Sequence, residues 1–219
     1  MQDHKSQRFL VAEDQLISDR KYNLLIGGVI AYGLFVNVLM VKYAAPLFVG
    51  MSPLPFLLIY MLLAFSGILI GVKSTRPAYS FLGYNMVVVP FGMVLCVGLQ
   101  GVASGIILQA ALLTALVTAA MLIAATLRPD IFGSARLGRI LFVTLLANLF
   151  VMLLCFLFRI QTMATTWVCV VLFSLYIAYD WARAQQYPKT VDNAIDCAMD
   201  IYMDIINLFL DLVRILNKD

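Results

Sequence analysis

Charge is what this chain has least of. Asp, Glu, Lys and Arg make up 12% of its 219 residues, about half the share of a soluble domain. No acidic residue falls between Arg20 and Asp130. Histidine is nearly absent: His4 is the only one, so a histidine-based metal site has nothing to build on. Cysteine is scarce, and Cys96, Cys155, Cys169 and Cys197 form no CxxC pair. They read as core or lipid-facing thiols rather than as disulfide or metal ligands. The N-terminal stretch lacks the pattern of a signal peptide: residues 1–21 are polar and of mixed charge.

Apolar residues fill the space that charge leaves. They make up 63% of the chain, in long continuous runs rather than in alternating segments of about ten residues, which argues against a β-barrel. The expected fold is all-α: a polytopic membrane protein, with a polar tail at 1–21 and one transmembrane domain at 22–219. Seven apolar segments are expected, at about 22–45, 54–72, 78–99, 102–127, 137–158, 162–182 and 191–216. Each is long enough to cross a hydrocarbon core of about 30 Å. The net charge of +3 is modest and spread over loops, a topology signal that points to no nucleic acid.

Basic residues set the orientation. With the N-terminus inside, the inner segments carry Lys5, Arg8, Arg20, Lys21, Lys73, Arg76, Arg128, Arg136, Arg139, Arg183 and Lys189. The outer ones carry Lys42, Arg159, Arg214 and Lys218. The excess inside predicts a cytoplasmic N-terminus. Seven spans put the C-terminus outside; a re-entrant last segment would leave both ends inside. Pro90, mid-segment, reads as a kink for packing or as a hinge. Gly27-Gly28, Gly67/Gly71 and Gly101/Gly105 are expected where helices approach closely.

Acidic residues gather at the far end. Seven of the twelve lie from Asp180 onward. On a helix over 191–216, Asp196, Asp200, Asp204, Asn207, Asp211 and Arg214 fall within an arc of roughly 80°. A carboxylate at mid-membrane costs about 2.5–3.5 kcal/mol or more, so this stripe must face the bundle interior or water. Asp180 and Asp204 stand on either side of a turn at about 184–190. They meet only if the last helix is irregular or tilted, or the turn is longer. Two carboxylates about 4 Å apart repel by about 4 kcal/mol at an effective dielectric near 20. Such a pair shares one proton and titrates as a unit; deprotonated, its oxygens suit a hard cation such as calcium. The plainer alternative is a stripe solvated at the helix ends, with one buried protonated aspartate bonded to a backbone carbonyl.

Two stretches carry a resemblance. They are Phe173-Ser174-Leu175-Tyr176 with Tyr179-Asp180, and Tyr202-Met203-Asp204-Ile205-Ile206-Asn207-Leu208-Phe209 with Leu212-Val213-Arg214. Over about the last fifty residues the chain resembles the Bax inhibitor family, the transmembrane Bax inhibitor motif proteins. The resemblance implies a seven-helix bundle with its last, polar helix near the centre. It also implies a pH-sensitive calcium leak gated by a hydrogen-bonded aspartate pair, here Asp180 and Asp204. Lys73 and Arg76 are the candidates for a basic latch near the second span, and Arg214 matches a C-terminal arginine of the pattern. An acidic second-span residue of some relatives is missing around Ile59-Tyr60; Asp196, Asp200, Asn207 and Asp211 are the candidates to line an ion route instead.

The expected role is thus a non-enzymatic calcium channel with a di-aspartyl pH sensor, without a tightly bound cofactor. Calcium and protons are its ligands and the lipid bilayer its surroundings; no protein partner is identifiable. The short loops point to a bacterial plasma membrane. A proton-coupled transporter or a regulatory scaffold is the alternative. An intramembrane aspartyl protease of the presenilin type is a lesser one: Tyr179-Asp180 resembles its first motif, but no Gly-x-Gly-Asp precedes the second aspartate. A retinal protein is disfavoured, since the last segment has no mid-membrane lysine.

Overall fold

The computed structural model describes residues 7–9, 15–48, 53–160 and 162–218; the side chains of 7, 53–59, 72 and 73 lie outside the description. Eight α-helices and no strand occur among the described residues. They are α1 (Asp19–Leu39), α2 (Pro53–Lys73), α3 (Pro77–Gly98), α4 (Ser104–Leu127), α5 (Pro129–Phe132), α6 (Ala135–Leu157), α7 (Ala164–Ala184) and α8 (Val191–Leu216). A 3-10 turn over Gln7–Phe9 precedes them.

Local chemistry explains the boundaries. The Ser18 and Ser134 hydroxyls accept from the backbone N–H of Lys21 and Leu137, capping α1 and α6. Pro77 and Pro129 open α3 and α5, where a missing N–H costs nothing. Past α1 the chain widens into a π turn (Met40–Ala44) and tightens into a 3-10 turn (Ala45–Phe48). Gly101, at φ 75°, turns the chain after α3 in a conformation that side chains resist. α3 runs unbroken through the buried Pro90.

Five helical stretches among the described residues are long and apolar enough to cross a membrane: Asp19–Phe48, Pro77–Gly98, Ser104–Leu127, Ala135–Leu157 and Ala164–Ala184. Together with the apolar stretch Tyr60–Gly71 of α2, they describe an integral membrane protein. α4 and α6 turn large apolar side chains outward along their length, among them Leu116, Ile123, Phe142 and Phe150, as lipid-facing helices do.

The chain forms two compact units. One comprises residues 1–100 and 187–202, in which α3 packs on both α1 and α2. Here α2 and α3 approach backbone to backbone: a Cβ at Gly67 would lie 2.5 Å from the Gly83 carbonyl oxygen. The other comprises residues 101–186 and 203–219, in which α7 packs on α4, α5 and α6. Ala125, Ala178 and Ala182 form its small-residue core, flanked by Met121, Phe132 and Trp181.

The glycine expectations divide. Gly67 and Gly71 are crowded as expected, but a Cβ on Gly27, Gly28, Gly101 or Gly105 would meet nothing within 4 Å. Those four positions face open space rather than a neighbouring helix.

Candidate functional site

α8 starts on a polar cap. The Thr190 hydroxyl accepts from the Asn193 backbone N–H at 3.1 Å. The Asn193 amide reaches back to the carbonyls of Pro188 (2.9 Å) and Arg8 (3.0 Å). Behind this cap, aspartates recur every fourth residue, at 192, 196, 200 and 204, which places them along one face of the helix. Most of the N-terminal half of α8 is buried: Asn193, Ala194, Cys197, Ala198, Met199, Ile201 and Tyr202 are all under 3% exposed. The buried polar groups of such a helix have to find partners within the protein.

The unit that holds residues 187–202 supplies those partners. The Ser80 hydroxyl of α3 donates to Asp192 Oδ1 at 2.7 Å. Arg8 pairs with two carboxylates, through Nη1 with Asp200 Oδ2 at 3.2 Å and through Nε with Asp196 Oδ2 at 3.7 Å. Burial opposes the Arg8 charge, but Asp200, Cys197 and Asp196 outweigh it and hold the guanidinium above its ordinary pKa. Tyr22 of α1 hydrogen-bonds Cys197 at 3.4 Å. Deeper along the helix the Asn37 amide donates to the Tyr202 hydroxyl. The Tyr202 ring meets Tyr84 and Phe91 edge-on, with centroids 5.5 and 6.2 Å apart. Gly71 of α2 admits Asp196 and Met199, since a Cβ there would lie within 3.1 Å of both. Lys189, in the turn before α8, stacks its ammonium over the Tyr22 ring at 4.7 Å, and burial lowers its pKa.

The other unit holds the second group of carboxylates. Asp180, near the end of α7, is half-buried, and Asp204 on α8 is 8% exposed. Each of the two aspartates engages other groups. Asn207 is half-buried. Asp211 is buried and lies 3.8 Å from the exposed Arg214.

The basic residues expected as latches are placed differently from one another. Arg76 is exposed at the start of α3. Lys73 lies in the last turn of α2, its side chain outside the described residues. Arg214 serves Asp211. Among the described residues, Arg8, which is not one of the expected latches, pairs with both Asp196 and Asp200. A signal existed in retrospect: the acidic positions of α8 outnumber the basic ones on that helix, and Arg8-Phe9-Leu10 couples a cation to apolar residues in an otherwise polar tail.

All four cysteines are free, and three of them are buried. Among the described residues no group of three or more His, Cys, Asp or Glu side chains is close enough to hold a metal ion.

A search of curated proteins finds no match to this chain. The family model described as inhibitor of apoptosis-promoting Bax1 matches residues 15–219, which takes in all eight helices. With apolar helices ahead of a buried acidic last helix, the chain belongs to the Bax inhibitor family of membrane proteins.

Proposed function

We propose that this protein is a pH-sensitive calcium leak channel gated by the protonation of Asp180 and Asp204. The observation that supports the reading is that Asp180, half-buried on α7, and Asp204, buried on α8, lie in the same compact unit. Two carboxylates that neighbour one another share a proton, and losing it makes them repel. Repulsion would let α7 and the C-terminal half of α8 part and admit calcium, which travels as the transported ion rather than as a resident cofactor. Asp196, Asp200, Asn207 and Asp211 would offer it oxygens along α8. The reading takes α1, α2, α3, α4, α6, α7 and α8 as seven spans with α8 central. It places the N-terminus in the cytoplasm and the protein in a bacterial plasma membrane.

Calcium flux into liposomes tests it, measured from about pH 6 to about pH 8, where a proton shared between carboxylates can titrate. Wild type should leak faster as pH rises, and Asp180→Asn and Asp204→Asn should each lose that response. Equal, pH-independent traces from all three would sink the channel reading. A scaffold that acts by binding another membrane protein would keep its activity in both variants. A proton-coupled transporter would instead show flux that depends on the proton gradient, and not on pH alone.

A further inference from the structure

The unit of residues 101–186 and 203–219 uses its arginines unevenly. Arg128 pairs with Asp130 at 3.4 Å, and Arg183 donates to the Gln186 side-chain oxygen at 2.9 Å. Arg136 and Arg139, in the first turns of α6, are exposed. Among the described residues neither guanidinium makes an ion pair or a hydrogen bond. No acidic residue lies between Asp130 and Asp180, so α6 itself offers no carboxylate. Their place on the helix is also unfavourable. A helix N-terminus carries partial positive charge and prefers Asp or Glu. α6 has no acidic residue in its first turn and no basic residue in its last, so both its cations stand at the end where the dipole opposes them. An anion held by both would offset that repulsion.

The surroundings say which anion. Arg136 and Arg139 are three residues apart and so neighbours on one face of α6. The same face continues as Ile140, Val143 and Phe150, each more than half exposed. The opposite side meets α7, where a Cβ at Gly138 would run into the Tyr179 ring and hydroxyl. The two guanidiniums therefore stand at the end of an apolar stripe that faces lipid, at the depth where headgroups begin. Guanidinium forks match phosphate oxygens, often with two parallel hydrogen bonds. A ligand with a phosphate above acyl chains fits both parts of the surface.

We propose that Arg136 and Arg139 form a binding site for an anionic phospholipid. Its headgroup phosphate is held by the two guanidiniums, and its acyl chains lie along Ile140, Val143 and Phe150. A zwitterionic lipid presents the same phosphate but brings its own cation, which competes for it. A headgroup of net negative charge, such as phosphatidylglycerol, is therefore preferred. With the N-terminus in the cytoplasm the site opens to the inner leaflet, whose anionic lipids attract basic residues near helix ends. The site requires neither the calcium reading nor the Asp180/Asp204 gate.

The experiment adds dioleoyl-phosphatidylglycerol or dioleoyl-phosphatidylcholine to the full-length protein in neutral detergent. Bound lipid is counted by native mass spectrometry and stability is read by thermal unfolding. Phosphatidylglycerol should bind wild type more tightly than phosphatidylcholine and raise its unfolding temperature further, because a ligand stabilises the state that binds it. Arg136→Gln/Arg139→Gln should bind phosphatidylglycerol at least about tenfold more weakly, since each cation near an anionic surface contributes about a factor of five. Without added lipid its unfolding temperature should equal or exceed that of wild type, because two cations leave a helix N-terminus. Arg20→Gln/Lys21→Gln removes two exposed cations at the start of α1, with the same change in net charge, and should keep the preference. If that control loses as much, a diffuse surface field binds the lipid and the proposal is wrong. It is equally wrong if Arg136→Gln/Arg139→Gln keeps the preference, or if that variant is destabilised as much without lipid as with it. Inorganic phosphate at matched ionic strength should not protect wild type. Protection equal to that of phosphatidylglycerol would make the ligand a free phosphate and overturn the lipid assignment.

Discussion

The two units handle their polar groups by opposite means. In the unit of residues 1–100 and 187–202, polar side chains pair with partners far away in sequence: Arg8 with Asp196 and Asp200, Ser80 with Asp192, Asn37 with Tyr202. In the other unit most of them fold back on their own helix. The hydroxyls of Thr114, Thr126, Thr144 and Ser174 each donate to the carbonyl four residues earlier. Such a bond specifies no neighbouring helix, although the Thr126 hydroxyl also accepts from Trp181 Nε1 of α7 at 2.9 Å; α4 and α6 turn apolar faces outward. A buried carboxylate finds no spare N–H groups on its own helix. In the first unit Asp192, Asp196 and Asp200 take partners from other segments, whereas Asp211 of the second unit lies beside Arg214 of its own helix.

The sharpest way to break this contrast is at the backbone contact that brings α2 and α3 together. Gly67→Val should abolish or severely reduce the yield of folded protein, since its side chain would have to displace the Gly83 carbonyl and the Met86 Cβ, 2.5 and 2.8 Å from the new carbon. Gly27→Ala, with nothing within 4 Å, should leave yield and melting temperature unchanged or slightly raised. Parallel size-exclusion profiles would check both.

Next in size is the ion network. Arg8→Ala should destabilise the protein by somewhat less than the about 3–5 kcal/mol of a broken buried pair, because Asp200 is a third exposed. Thermal unfolding in detergent measures it. Adding Asp196→Asn and Asp200→Asn should recover much of the loss, since no unpaired charge then remains. If the triple variant is no more stable than the single one, Arg8 acts through packing rather than charge.

Tyr202→Phe should cost about 1–3 kcal/mol by leaving the buried Asn37 amide without its hydroxyl. Asn148→Leu sharpens the comparison from the other side. Asn148 is the buried amide of the second unit that does reach another helix, donating to the Thr165 carbonyl at 3.2 Å and to Cys169 Sγ at 3.0 Å. A leucine of similar size replaces a polar contact with an apolar one, so its cost should be smaller, near or below about 1 kcal/mol.

Smallest of all is the exposed pair Arg128–Asp130, 3.4 Å apart. The hydrogen bond from Arg128 holds the Asp130 carboxyl below its ordinary pKa. Its stabilisation is therefore present above the ordinary carboxylate range and is lost as pH falls through the folded value. Solvent screens a pair this exposed, so Asp130→Asn should leave the melting temperature unchanged at neutral pH.

The membrane class, most helix boundaries to within a few residues, and the acidic face of α8 were legible in the residues themselves. Continuous apolar runs, prolines at helix starts and a fourfold aspartate spacing are local properties, and each acts through the residues that carry it. The Tyr176/Asp180 and Asp204 stretches were legible as a family signature for the same reason: they are contiguous text. Which glycines meet another helix was not legible, because Gly27-Gly28 and Gly67/Gly71 look alike until a partner backbone is placed against one of them. Nor was the role of Arg8. It stands 192 residues from Asp200, and no spacing rule reaches that far. The match was made by packing, because a buried carboxylate takes whatever cation the fold delivers to it, and delivery does not depend on neighbouring sequence.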